Sequence, residues 1–139
     1  IFLKVFAEHT GRFLAGAATA LAQPDKRTAL RTFFDFCIDT ITEGEPSRGC
    51  LSTRTAIDAT LDSPRVLAAV RDMLDQLETV VREALTTIDD DTPLRVDAAA
   101  AARLVVAVTR GVAVLERVQH TPTELRAIAA TLTTAVLGY

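Results

Sequence analysis

Ala98-Ala99-Ala100-Ala101-Ala102-Arg103-Leu104-Val105-Val106-Ala107-Val108-Thr109-Arg110-Gly111-Val112-Ala113-Val114-Leu115 is the most hydrophobic stretch of the chain, and its reading decides the architecture. Asp97 stands ahead of it as a helix N-cap, and the pattern predicts a helix from there to about Val118. Leu104, Val105, Val106, Val108, Val112, Val114, Leu115 and Val118 surround most of its circumference. One protomer can cover only one side of such a cylinder, so the other side calls for a partner. Gly111 in mid-helix costs about 1 kcal/mol against Ala, and close approach of another backbone is the simplest compensation.

Downstream, Thr121-Pro122-Thr123-Glu124 combines a capping box with a first-turn proline. The spacing predicts a helix over about 122–137, with Leu125, Ile128, Leu132 and Val136 facing inward. Its second face carries Ala127, Ala130, Thr131 and Thr134, small enough for a tight crossing against a symmetry mate. Together with Gly111, Val114, Leu115 and Val118 these residues form the expected dimer interface. Two helices from each chain then make a four-helix bundle. An obligate interface of this kind buries on the order of 2,000 Å² or more.

Upstream, Ser63-Pro64 starts a helix over about 64–88, with Val66, Val70, Met73, Leu77, Val81 and Leu85 inward. Glu78 and Arg82 on its wet side are spaced for an i,i+4 ion pair. Asp89-Asp90-Asp91-Thr92-Pro93 reads as a solvated loop. Three further helices are expected. One spans about 1–22 on the stripe Phe2, Phe6, His9, Phe13 and Ala17; another spans 25–42 on Leu30, Phe33, Phe34, Cys37, Ile38 and Ile41. The last and shortest covers 48–61 on Cys50, Arg54, Ile57 and Leu61. No segment alternates with period two for the length of a strand. The expectation is a single all-α domain over residues 1–139, a six-helix bundle.

Composition narrows the function. Hydrophobic residues make up 49%, enough for a core, while the net charge of -3 argues against gripping nucleic acid with this segment alone. Cys37 and Cys50 form no metal-type spacing and read as reduced thiols of a cytoplasmic protein, although a bridge between them stays open. No apolar run is expected to span a bilayer, and the start lacks the pattern of a secretory signal. Lys occurs only at Lys4 and Lys26 while Arg is common, a weak sign of a GC-rich bacterial genome.

The order of elements resembles the core of TetR-family transcriptional regulators. Ile1-Phe2 running into a long helix is similar to the point where such chains leave their helix-turn-helix head. Arg48-Gly49-Cys50-Leu51, opening a short helix, resembles the family's "GC-L" feature. Ser63-Pro64-Arg65-Val66, the acidic loop, Asp97-Ala98-Ala99-Ala100 and the glycine-interrupted run from Arg103 to Leu115 follow the family's succession. The resemblance implies a bacterial homodimeric repressor or activator whose core binds a small effector and thereby respaces two DNA-reading heads. The head is not in this sequence, and the uncapped start suggests chain upstream.

Candidate chemistry is sparse. A Ser-His-Asp or Cys-His site needs groups brought together, and His9 and His120 lie in no such motif, so no catalytic residue, metal or cofactor is expected. His9 reads as a core or boundary residue and His120 as a surface one. The expected ligand site is a largely apolar pocket inside the protomer. Its candidates are Phe33, Phe34, Cys37, Arg54, Ile57, Met73, Leu77, Val106, Thr109 and Arg110. Arg54 and Arg110 sit among apolar neighbours; each pairs with an internal carboxylate, snorkels to the surface or contacts an acidic effector. The expected partners are a second copy, a small apolar or amphipathic effector, and DNA only through the upstream head. Rival readings are a helical scaffolding domain without a pocket and a helical enzyme with an unrecognised site.

Overall fold

The structure, a computed structural model, describes residues 2–42, 63–118 and 120–138. Five helices are described: α1 (Phe2–Leu21), α2 (Lys26–Thr42), α3 (Pro64–Thr87), α4 (Ala98–Arg117) and α5 (Pro122–Leu137). Each begins and ends within about a residue of its expected bounds, and no strand occurs among the described residues. The helix expected over 48–61, and with it Cys50, Arg54 and Ile57, lies outside the described residues.

The caps explain where the helices start. Ser63 Oγ accepts from the Val66 N–H at 3.3 Å, and Asp97 accepts from Ala100 at 3.2 Å. Thr121 accepts from the Glu124 N–H at 3.2 Å while its hydroxyl donates to the Glu124 carboxylate at 3.1 Å. Asp25 plays the same part for α2, accepting from the backbone and the hydroxyl of Thr28, both at 2.8 Å. α5 closes on Gly138 at φ 85°, whose N–H donates to the Thr134 carbonyl at 2.7 Å.

α2 is the hub, packing against all four other described helices. Ala29, Leu30, Phe33, Phe34, Cys37, Ile38 and Ile41 are buried, which covers more than one side of the helix. The main core joins the first five of these to Ala17 and Leu21 of α1, Leu77, Val81 and Leu85 of α3, Val105 and Val106 of α4, and Leu132 and Val136 of α5. A second cluster gathers Ile38, Ile41, Val112, Ala113 and Leu125, and a third Phe6, Val70 and Met73. Ile128 of the inward stripe of α5 is only half-buried, and Ala129 is buried beside it.

Along α1 the packing is aromatic. The His9 ring stacks on Phe13 at 6.4 Å between centroids, and Phe13 stacks on Phe36 of α2 at 5.5 Å. Phe36 in turn lies over Gly16, where an added Cβ would stand 2.5 Å from the ring's Cζ. Gly16 lets α1 and α2 approach with that ring between them. His9 is half-buried; burial, and secondarily the Arg12 charge, hold its pKa below the ordinary histidine value.

Several local expectations yield to tertiary contacts. Glu78 reaches across to Arg103 of α4, 3.5 Å from Nε, and not to Arg82 on its own helix. The loop after α3 is less solvated than its three aspartates suggest. Asp90 is part-buried and accepts from the backbone N–H of Lys26 at 2.8 Å and from its ammonium, which also donates to the Thr92 carbonyl at 2.8 Å. These bonds hold the Asp90 carboxyl below the usual carboxylate range. α4, at 20 residues, does reach the length and apolar character of a membrane-crossing segment, contrary to the expectation that no run would. Its buried face lies against α2, α3 and α5, and Arg103, Arg110 and Arg117 punctuate it.

Candidate functional site

The expected effector-site residues that are described fall on α2, α3 and α4, while Arg54 and Ile57 lie outside the described residues. Phe33, Phe34, Cys37, Leu77 and Val106 belong to the main core, where Phe33 and Phe34 make an edge contact at 5.5 Å. Met73 is equally buried but packs with Phe6 and Val70 in the neighbouring cluster. Cys37 is buried.

Thr109 is the buried polar group of this region. Its hydroxyl donates to the Val106 carbonyl at 2.6 Å and accepts from Arg110 Nε at 3.2 Å. The half-buried Arg110 is thereby held against α4, at the border between the apolar interior and water. The described candidates are thus apolar core side chains of α2, α3 and α4 packed on one another, with a hydroxyl and a guanidinium at one edge.

The outside of α4 and α5 has a different character. Buried Ala101, Val105, Thr109 and Val112 mark the inner face of α4. On the opposite face Ala100, Leu104, Ala107, Gly111, Val114 and Val118 recur at alternating four- and three-residue spacing, and all are exposed. Leu104, Val114 and Val118 are 43%, 47% and 62% accessible, high values for large aliphatic side chains. A Cβ added to Gly111 would meet nothing within 4 Å. Beside this strip α5 exposes Ala127, Ala130 and Thr131, with Thr134 half-buried. Leu115, expected on the same face, is half-buried and packs inward on the second cluster.

A polar seam between α2 and α5 escaped the sequence reading. Arg126 donates from Nε to Asp35 at 3.0 Å and from Nη2 to Asp39 at 3.2 Å. Lower down, the Arg27 guanidinium donates to the Gly138 carbonyl. Between these bonds lies a cleft of about 410 Å³ lined by Arg27, Arg31, Phe34, Asp35, Arg126, Ala129, Ala130, Thr133 and Thr134. Arg31, Asp35 and Asp39 lie opposite the apolar stripe of α2 in the helical spacing, but local pattern carries no sign of a partner about 90 residues away.

His120 is only half-buried, with Nε2 3.9 Å from the Glu124 carboxylate and Nδ1 unbonded in the interior. It is less of a surface residue than its place in a tight turn suggests. Among the described residues no group of three or more His, Cys, Asp or Glu side chains is arranged to hold a metal.

A family model described as transcriptional regulator LmrA/YxaF-like, C-terminal domain, matches residues 27–131, well over half of the chain. No curated protein and no solved structure matches. The chain belongs to this family of TetR-type regulator C-terminal domains.

Proposed function

We infer, from the premise that the chain is an LmrA/YxaF-like regulator C-terminal domain, that it is the effector-binding and homodimerisation core of a cytoplasmic TetR-type regulator. The observation that carries this reading is the exposed apolar strip of α4 with the small-residue face of α5 beside it. The strip keeps the 3–4 spacing of a helix-packing seam, and a second copy related by a two-fold axis covers it with its own equivalent. Gly111 at the middle of the strip permits the closest approach. Two-fold symmetry then presents two equivalent DNA-reading heads to a palindromic site.

Effector binding is assigned to the interior between α2, α3 and α4, against Phe33, Cys37, Met73, Leu77 and Val106, with Thr109 and Arg110 as polar anchors. Phe34, which also lines the cleft between α2 and α5, and Arg54 and Ile57 are assigned to this group from the sequence pattern. A small apolar or amphipathic molecule suits that composition. α4 carries both the anchors and the dimer strip, so a shift of α4 on binding moves the two protomers relative to each other.

The test uses the full-length regulator and the domain side by side. Residues 1–139 alone give no sequence-selective mobility shift, since a chain of net charge -3 lacks a basic reading surface. The full-length protein shifts a palindromic site, and a compound that raises the melting point of the domain changes that affinity. A compound that binds the interior and leaves DNA affinity untouched contradicts the reading.

A further inference from the structure

We propose that the cleft between α2 and α5 is a second ligand site, for a small amphipathic carboxylate, separate from the interior site of α2, α3 and α4. Its floor is apolar: Phe34 and Ala129 are buried, and the Thr133 hydroxyl is committed to the Ala129 carbonyl at 2.9 Å. Its rim is cationic. Arg126 is satisfied by Asp35 and Asp39, while among the described residues Arg27 meets a neutral carbonyl and no carboxylate. Arg31, one turn from each of Arg27 and Asp35 on α2, is exposed and has no ion-pair partner among the described residues.

Of the residues that line the cleft, Arg27, Arg31 and Arg126 are cationic and Asp35 is anionic. Asp39, bonded to Arg126, and Asp25, on which the charge of Arg31 acts, stand outside the lining. A local cationic excess over an apolar floor matches a molecule with one anionic end and a hydrocarbon body. Arg31 provides a planar fork for the carboxylate, Arg27 adds a second positive charge, and Phe34 and Ala129 take the chain. The volume of about 410 Å³ lies in the range of small-ligand pockets. Ala130 and Thr134 line the cleft and also belong to the outer face of α5, so the cleft opens at the margin of that face. The assignment does not depend on the interior site.

Isothermal titration of octanoate into the 139-residue chain tests it, with 1-octanol and inorganic phosphate as comparison probes. Octanoate is expected to bind at one site per chain and to weaken about tenfold or more in Arg31→Gln, the loss of a charge-assisted pair. Arg31→Lys retains part of the affinity, 1-octanol binds at least about tenfold more weakly, and phosphate does not displace octanoate. Because Arg31 is exposed, Arg31→Gln keeps the melting point of the parent chain. Octanoate-induced amide shifts should fall on α2 and α5 around Arg31, Ala130 and Thr134. No octanoate binding, equal affinity in Arg31→Gln, equal binding of 1-octanol, displacement by phosphate, or shifts centred on Cys37, Leu77 and Val106 each overturns the proposal.

Discussion

Two mid-helix glycines behave in opposite ways. At Gly16 of α1 an added Cβ would stand 2.5 Å from the Phe36 ring, whereas at Gly111 of α4 it would meet nothing within 4 Å. Each glycine costs its helix about 1 kcal/mol of propensity relative to alanine. For Gly16 the compensation is visible inside the protomer, in the column of His9, Phe13 and Phe36 that it admits between α1 and α2. For Gly111 nothing among the described residues supplies it, and its neighbours Leu104, Val114 and Val118 are exposed aliphatic residues. On the proposed assembly, the difference separates a region whose sequence is explained by its own chain from one explained by a second chain.

The strongest blow to that contrast is a charge in the strip. Val114→Glu places like charges close to the two-fold axis, a juxtaposition that costs several kcal/mol. Sedimentation should show the mass falling from a dimer to the 14.9 kDa chain, or aggregation, with Ala130→Glu acting in the same direction. A Val114→Glu dimer of unchanged affinity would detach the strip from assembly.

Gly16→Val should act wholly inside the protomer. Forcing a branched side chain against Phe36 costs about 2 kcal/mol, within the range for overpacked cores. Thermal or urea denaturation should show that loss while the dimer mass stays the same. An unchanged midpoint would mean that Phe36 swings aside freely, and the first half of the comparison would fail.

Gly111→Ala distinguishes the regions most finely. In an isolated protomer it should stabilise α4 by up to about 1 kcal/mol, because the Cβ enters open space. In a dimer that closes on Gly111 the same methyl group holds the backbones apart. The expected result is weaker dimerisation by dilution analysis despite better helix propensity. Stabilisation with no change in dimer affinity would move the crossing point away from Gly111.

The smallest effect concerns His9, at the end of the aromatic column. Its folded pKa lies below its unfolded value, so the unfolded chain binds the extra proton more readily. Its contribution to stability is therefore complete above the unfolded pKa of about 6.5. It is lost as pH falls through that value toward the folded one. Denaturation midpoints measured from pH 7.5 to 5 should fall slightly more in the parent than in His9→Phe. Identical slopes would remove His9 from the acid response.

What was legible in the sequence was what repeats or what acts over one turn. The alternating apolar spacing of α3, α4 and α5 announced their buried faces, and Ser63, Asp97 and Thr121 announced their starts. The exposed side of α4 followed from there being more apolar surface than one protomer could cover. Contacts between distant residues were not legible. Lys26 meets Asp90 across 64 positions, and Arg126 meets Asp35 and Asp39 across 91 and 87. A run of three aspartates does not say which one turns inward. Glu78 shows the hazard of a local rule: Arg82 had the right spacing, but the approach of α4 offered Arg103 instead. The cleft between α2 and α5 was missed for the same reason, since Arg31 looks like any solvated arginine until α5 lies beside it.

Light scattering of the unmodified chain at low micromolar concentration tests the central claim most directly. An interface that covers the strip of α4 and the small-residue face of α5 predicts twice the 14.9 kDa chain mass, held on dilution through that range. A stable, soluble monomer of 14.9 kDa under the same conditions would contradict it, leaving Leu104, Val114 and Val118 exposed with no partner to explain them.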